Sequence, residues 1–321
     1  LLAGRSAELM RLASRLLCHP CRNVLTTDLG WPSYHDILLS ECRRANRRMT
    51  TVHLLNAILR GGVTEDEIVA RVRNEFVLRG CDGLFLTSVS NLGLRLPVER
   101  LVRAVESAAQ VWFVVIDGAQ DFCHVSSDLR NEYCDLYLAG AHKWLRGYHP
   151  MGLGFYGRRR SRAMIETVLS ELLREGELGD PLLRFSTQLE ADALDGVSET
   201  VSLANLFSCH GAVEDATAAA GGPTSFLASR LQNLDVAAGV AGAVGWRPLL
   251  PSESLRTGIL LLEAERAATR GRPADELREA FYGEGVALTA YGGGLIRLSM
   301  PEAPWGPGET EHLAAALQAE S

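Results

Sequence analysis

Apolar and polar positions along the chain keep two alternating rhythms. In "SAELMRLASRLL" (6–17) apolar residues recur at helical spacing behind Ser6, the expected N-cap. "SYHDILLSECRRA" (33–45) carries the same spacing, and "TTVHLL" (50–55) reads as a strand. "TEDEIVARVRNEFV" (64–77) opens with a capping box, Thr64 with Glu67. "GLFLTSV" (83–89) is a strand, and "PVERLVRAVESAA" (97–109) a helix with Pro97 in its first turn. "VWFVVID" (111–117) is a continuous apolar run of the kind buried in a parallel sheet. Strands at 135–141 and 152–158 follow, then helical stretches at 161–176 and 198–221. Past that point the pattern changes to a helix (about 223–237), a strand (258–264), a helix (274–283) and two short strands (286–291, 295–300). This order predicts an α/β domain with a mostly parallel sheet over 1–221 and a smaller α+β domain over 222–321.

Composition narrows the class. The chain has 321 residues, 47% hydrophobic and 22% charged, enough for a large core and two domains. Its net charge of −7 argues against a nucleic-acid or anionic-membrane surface. The basic run "GRRRSR" (157–162) reads as a solvated helix start. No apolar run reaches the length of a membrane span; "VAAGVAGAVGW" (236–246) is too short and too rich in small residues. Seven scattered cysteines and no signal peptide suggest free thiols in a reducing cytoplasm. Cys18 and Cys21 have C-x-x-C spacing without a second pair, so no metal site is expected. The glycine-rich "YGGGL" (291–295) lacks the lysine and helix of a phosphate loop and reads as a turn. The sequence begins at Leu1 rather than Met, and a preceding segment is expected.

The charge count also holds an anomaly. Of 32 Lys and Arg residues, only Lys143 is a lysine. Arginine serves surface ion pairs equally well, but it cannot give up its proton to act as a nucleophile. Lys143 follows the strand "DLYLAGA", and Asp117 ends the strand "VWFVVID". In open α/β sheets ligands bind at such carboxyl ends. An amine and a carboxylate placed there suit pyridoxal 5'-phosphate, which needs a lysine for its Schiff base and an acid to keep its pyridine nitrogen protonated.

"DGAQ" (117–120) followed by "CDLYLAGAHKWLRGYHPMGLGFYGR" (134–158) resembles the class V aminotransferase family of fold-type I pyridoxal-phosphate enzymes, which includes cysteine desulfurases, kynureninases and isopenicillin-N-epimerase-like proteins. The resemblance runs from about residue 4 to 300. It implies a large domain with a mostly parallel seven-stranded sheet, a small C-terminal α+β domain and a homodimer. Lys143 would carry the cofactor and shuttle the α-proton, Asp117 would pair with the pyridinium, Gln120 would hydrogen-bond the phenolic oxygen and His142 would contact the phosphate. "GRS", Gly4, Arg5 and Ser6, matches the phosphate loop at a helix N-terminus. Trp31 in "DLGWPSY" takes the place of the flat side chain over the ring, a histidine in the desulfurases. Asn91 in "VSN" would lie beside the ring oxygen or the substrate carboxylate. Arg297 in "LIRLS" would clamp that carboxylate, and Thr200 would reach a neighbouring subunit's phosphate.

Besides the segment expected ahead of the phosphate loop, the sequence departs from the family's pattern at two further places. Gly140 stands where Ser or Thr is common, two residues before the histidine. The loop "FYGEGVALTAYGGG" (281–294) lacks the desulfurases' catalytic cysteine, the last cysteine being Cys209. The expectation is therefore an enzyme acting on an amino acid or amine through an external aldimine, by amino-group transfer first. A lyase, decarboxylase or epimerase is the alternative. A desulfurase or a non-catalytic relative stands behind these.

Overall fold

The computed structural model describes residues 1–193, 200–218 and 226–321. They form two compact units. The first comprises Leu1–Leu54, Glu65–Asn91 and the described part of Leu96–Pro223; the second comprises Leu55–Thr64, Leu92–Arg95 and the described part of Thr224–Ser321. The boundary expected at 221–222 lies outside the described residues, as do 198–199 and 219–221 of the stretch read as helical.

The first unit runs β1 (Leu2–Ala3), α1 (Ser6–Cys18), β2 (Asn23–Thr27), α2 (Pro32–Arg44) and β3 (Arg48–Val52). After α3 (Leu55–Leu59), which belongs to the second unit, come α4 (Glu65–Leu78), β4 (Gly83–Thr87), α5 (Val98–Glu106), β5 (Phe113–Asp117), β6 (Leu136–Gly140) and β7 (Gly152–Phe155). Then follow α6 (Arg159–Glu175), α7 (Pro181–Glu190) and α8 (Ala204–Ala218). The seven strands lie in the order β1-β7-β6-β5-β4-β2-β3. From β6 to β3 neighbours are parallel, while β7 is antiparallel to both β6 and β1. The chain moves outward from β2 to β3 and returns to the other side of β2 with β4, so the order reverses between β2 and β4. That is a topological switch point, where strand ends leave a crevice.

Side-chain alternation decides what faces that crevice. Phe85 on β4, Phe113 and Val115 on β5, and Leu136 and Leu138 on β6 join the core under α1, α2 and α6. Thr87 and Asp117 continue the same face, so their side chains emerge on the side that α1 covers. Leu84, Leu86, Val114 and Ile116 on the opposite face are equally buried, which explains the unbroken apolar run of β5.

Several elements differ from the sequence reading. The N-cap of α1 is Arg5, in extended conformation and without a side-chain cap, and Ser6 is the first helical residue. Its hydroxyl lies close enough to the Tyr34 phenol to lower that group's pKa in part. β2 is a central strand that polar letters conceal in "NVLTT"; Asn23 hides its amide by donating to Arg79 O (2.9 Å) and accepting from Thr50 (3.0 Å). The "GRRRSR" run starts α6 with Arg159, Arg160 and Arg162 exposed, as expected, but two of its arginines also reach a buried carboxylate. Fully buried Asp135 receives Arg160 through two bonds of 2.9 Å, Ser161 at 2.8 Å and the Val114 amide at 2.8 Å, with Arg158 at 3.4 Å.

The second unit carries α9 (Leu227–Ala243), β8 (Trp246–Pro248), β9 (Ile259–Ala264), α10 (Ala267–Arg270), α11 (Ala274–Gly283), β10 (Thr289–Tyr291), β11 (Leu295–Ser299) and α12 (Pro307–Ala319). Its antiparallel sheet has the order β10-β11-β9-β8. Trp246 anchors the core, its indole N–H donating to Leu317 O at 2.9 Å and its ring edge-on to Phe281. No helix among the described residues is long and apolar enough to cross a membrane.

Removing Asp135 leaves the buried Ser161 hydroxyl and Val114 amide without their acceptor and Arg158 nearly out of reach of water, while Arg160 keeps access to solvent. Asp135→Ala should therefore lower the unfolding free energy by about 3–5 kcal/mol, measured by urea denaturation. A loss below about 1 kcal/mol would show that the cluster behaves as an exposed pair.

Candidate active site

The site grows from the ends of β4, β5 and β6. Thr87 and Asp117 stand directly opposite each other at the last rung of the β4–β5 ladder. Asp117 is buried, and the Ala119 amide donates to its Oδ1 at 3.0 Å. Burial pushes its pKa up; the Ala119 N–H and the Lys143 charge pull it back in part, while Asp121 adds to the rise. The Thr87 hydroxyl is near enough to lower it slightly, yet falls outside hydrogen-bonding geometry and is buried without a partner among the described residues. A Cβ on Gly30 would sit 3.6 Å from that hydroxyl, so the loop after β2 closes over the same spot.

Lys143 lies in the turn that follows β6. Three backbone bonds pin the turn: Ala141 N to Met151 O (2.9 Å), Gly147 N to Ala141 O (2.8 Å) and Arg146 N to Lys143 O (3.1 Å). Arg146 takes a left-handed conformation (φ 64°) to complete it. Lys143 is half-buried and His142 exposed. Partial burial and then the Lys143 charge lower the His142 pKa. The ring of His142 lies over Gly140, where a Cβ would come within 3.2 Å of its Cε1. The departure at Gly140 thus has a steric counterpart, since a side chain there would press on the imidazole.

Gln120 lies in the turn after β5. Its side-chain Oε1 accepts from the Trp144 indole at 2.8 Å, and its main-chain oxygen meets His124 Nδ1 at 2.8 Å. Tyr34 on α2 joins from below: it is buried, and burial and then the Asp117 charge raise its pKa. Asp117, Lys143, Gln120, Ser6 and Tyr34 are therefore brought together. Tyr34, Thr87, Trp144 and His124 had no role in the sequence reading. Only Trp144 had a local signal, its adjacency to Lys143.

At the N-terminus of α1 the Gly4 amide is already engaged. Asp180, the N-cap of α7, accepts from it at 3.1 and 3.2 Å and from Leu183 N at 2.8 Å. The Gly4 carbonyl receives the Asn205 amide at 3.4 Å, and the same group donates to Pro150 O at 2.6 Å. Trp31 is the N-cap of α2, its indole 46% exposed just past the end of β2. Asn91 is half-buried in the turn after β4. Thr200 is exposed ahead of α8. Arg297 lies in the second unit, half-buried in the middle of β11 opposite Leu261 and Thr289.

The family model for class V aminotransferases matches residues 8–170. A curated cysteine desulfurase from Pectobacterium atrosepticum is 37% identical over 78 residues, a stretch that spans 24% of this chain and only 18% of that relative. Among solved structures, pyridoxamine–pyruvate aminotransferase from Mesorhizobium loti superposes with a TM-score of 0.73 at 15% identity, covering 100% of this chain and 79% of the other. A lysine-to-alanine mutant of C-DES, with glycine covalently linked to its pyridoxal-phosphate cofactor, superposes with a TM-score of 0.72 at 13% identity, covering 99% and 80%. The cofactor indicated by the family is pyridoxal phosphate.

A raised carboxyl pKa means that the folded protein holds the Asp117 proton more tightly than the unfolded chain does. Its contribution to stability is then largest in acid and falls as pH rises through the folded value. Asp117→Asn keeps an acceptor for Ala119 N and carries no charge. We expect the cofactor-free variant to be more stable than wild type at pH 7, with the difference shrinking as pH drops towards the ordinary carboxylate range. Urea denaturation across pH checks this; a variant less stable than wild type at pH 7 would give Asp117 a structural role.

Proposed function

We propose, from the premise that the chain belongs to the class V aminotransferase family, that it is a homodimeric pyridoxal-phosphate enzyme that transfers the amino group of an amino acid or amine. The observation that carries this reading is the pairing of the only lysine with a buried carboxylate at adjacent strand ends. The residues fit the cofactor. Asp117, whose charge is disfavoured by burial, is suited to a cationic ring N–H, and the Thr87 hydroxyl beside it is buried with no partner in hydrogen-bonding geometry among the described residues. When bound, pyridoxal phosphate supplies an aldehyde carbon that takes up the amine and a pyridine ring that draws electrons away from the substrate Cα.

The chain's own groups do the rest. Lys143 Nζ binds the cofactor and, once released, moves the proton at the substrate Cα. Asp117 holds the proton on the ring nitrogen. Gln120 donates to the ring oxygen, Trp31 covers the ring face, and Asn91 borders it. With the Gly4 amide given to Asp180, the phosphate is held by Arg5, Ser6 and His142, and by Thr200 of a second copy. Arg297 holds the substrate carboxylate through a planar, two-pronged contact. Sulfur transfer is the weaker reading, although a desulfurase is among the relatives. Cys209, the last cysteine, is buried, and burial raises its thiol pKa, so little thiolate is available to accept sulfur. A lyase, decarboxylase or epimerase would use the same residues and is separated by products.

The test is a screen of amino acids with and without a keto-acid acceptor. Amino-group transfer requires keto acid up to one equivalent per site without acceptor and many turnovers with it. Sustained release of ammonia or carbon dioxide without acceptor overturns it. Two variants sharpen the reading. Lys143→Ala should lose turnover to background and lose the visible absorption band that borohydride removes from wild type. Arg297→Lys should raise KM for a carboxylate substrate roughly 10- to 100-fold, the size of a lost charge-assisted contact, and leave an amine analogue nearly unchanged. Equal loss with both substrates would make Arg297 structural.

A further inference from the structure

A glutamine is an ambiguous residue in a binding site, because its carboxamide carries both an accepting oxygen and a donating NH2. At Gln120 that ambiguity is removed by Trp144. The indole Nε1 lies 2.8 Å from the carboxamide atom Oε1. An indole N–H can only donate, so the atom facing it has to be the oxygen. The NH2 is then the end left to face elsewhere.

Trp144 is itself held in place. Its ring stacks on His124 with centroids 3.6 Å apart and planes 20° from parallel. His124 is fully buried, and its Nδ1 lies 2.8 Å from the Gln120 carbonyl oxygen. A carbonyl only accepts, so Nδ1 carries the proton and the ring's orientation is set. The contacts form a closed circuit from the Gln120 main chain through His124 and Trp144 to the Gln120 side chain. It ties the turn that follows Asp117, the last residue of β5, to the turn after β6, which carries Lys143.

We infer that Trp144 is a positioning residue that fixes the polarity of Gln120, so that its NH2 is presented as a donor to the phenolic oxygen of the cofactor. This rests on the assignment of Gln120 to that oxygen under Proposed function. With Trp144 in place, a flip of the carboxamide would set its NH2 against an N–H and its oxygen against an oxygen that carries negative charge. Without the indole N–H, the contact that opposes the flip is lost.

The experiment uses the full chain loaded with pyridoxal phosphate. Trp144→Phe keeps an aromatic ring on His124 and removes the N–H; Gln120→Leu removes the donor itself. Two quantities are read: the dissociation constant for pyridoxal phosphate, and the pH midpoint of the visible absorption band. Both variants should weaken cofactor binding roughly tenfold, about 1.4 kcal/mol, and raise the midpoint, because an oxygen without a donor holds its proton more tightly. The double variant should resemble Gln120→Leu alone, since the two residues act through one contact.

If Trp144→Phe matches wild type in both quantities while Gln120→Leu shifts them, the inference is overturned and the role of Gln120 stands. Additive effects in the double variant also overturn it, because Trp144 would then act independently. If Gln120→Leu shifts neither quantity, the assignment of Gln120 fails and this inference falls with it. Should Trp144→Phe not fold, 3-benzothienylalanine at position 144 keeps the bicyclic shape without the N–H, and the same outcomes apply.

Discussion

Keeping a carboxylate charged without access to water costs several kcal/mol unless neighbouring groups compensate. Asp117 stands in that situation at the end of β5, and much of the first unit is arranged around it. The parallel sheet needs both faces covered, and α1 closes the face on which Asp117 emerges. One backbone amide and one lysine charge are the groups that favour its ionised form most. They do not fully offset the burial, and a carboxylate left short of compensation is well matched to a cationic ligand. The cost of the buried charge and the affinity for such a ligand are two sides of one arrangement.

The residues after β5 and β6 then have to be held at fixed spacing, because neither turn is regular structure. Tight packing does part of this. A Cβ on Gly118 would collide with the Tyr137 ring, and Tyr137 in turn donates its hydroxyl to Asp121. Hydrogen bonds do the rest: the backbone clasp of Ala141, Gly147 and Met151 on one side, and the Gln120–Trp144 bond across the gap. Each turn takes its shape from the other. The separation of Asp117 and Lys143 is therefore governed by contacts outside the two residues themselves.

The repeating elements were legible because their signals are local. Helices α1, α4 and α6 and strands β4 to β7 follow from side-chain period and bounding turns, and the strand-end positions of Asp117 and Lys143 follow with them. What escaped depends on partners distant in sequence. β2 reads as polar until Asn23 is seen to bury its amide against Arg79 and Thr50. The "GRRRSR" run is largely exposed as read, but nothing local shows that Arg158 and Arg160 also bond to buried Asp135, more than 20 residues upstream. Helices α7 and α12 lie in stretches that the sequence reading left without structure. In the site, Asp180 reaches Gly4 across 176 positions, and no spacing rule relates them. Arg297 was chosen from the resemblance alone and lies on β11.

The lone lysine can now be set against the arginines. Arg44 forks onto Glu41, Arg160 onto Asp135 and Arg130 onto Asp128, each using the planar guanidinium to reach a carboxylate with two nitrogens. For such roles arginine is at least the equal of lysine, and a chain drifting towards arginine loses nothing by the exchange. Lys143 occupies a different environment. It is half-buried in a pinned turn, and the carboxylate whose charge it supports is shut away from water. An arginine there could supply the positive charge, and it could even hydrogen-bond Asp117. It could not shed a proton near neutral pH and form a bond to carbon. A position that only needed a cation would have been as free to become arginine as all the others, so the survival of an amine at this point argues for chemistry at nitrogen rather than for charge.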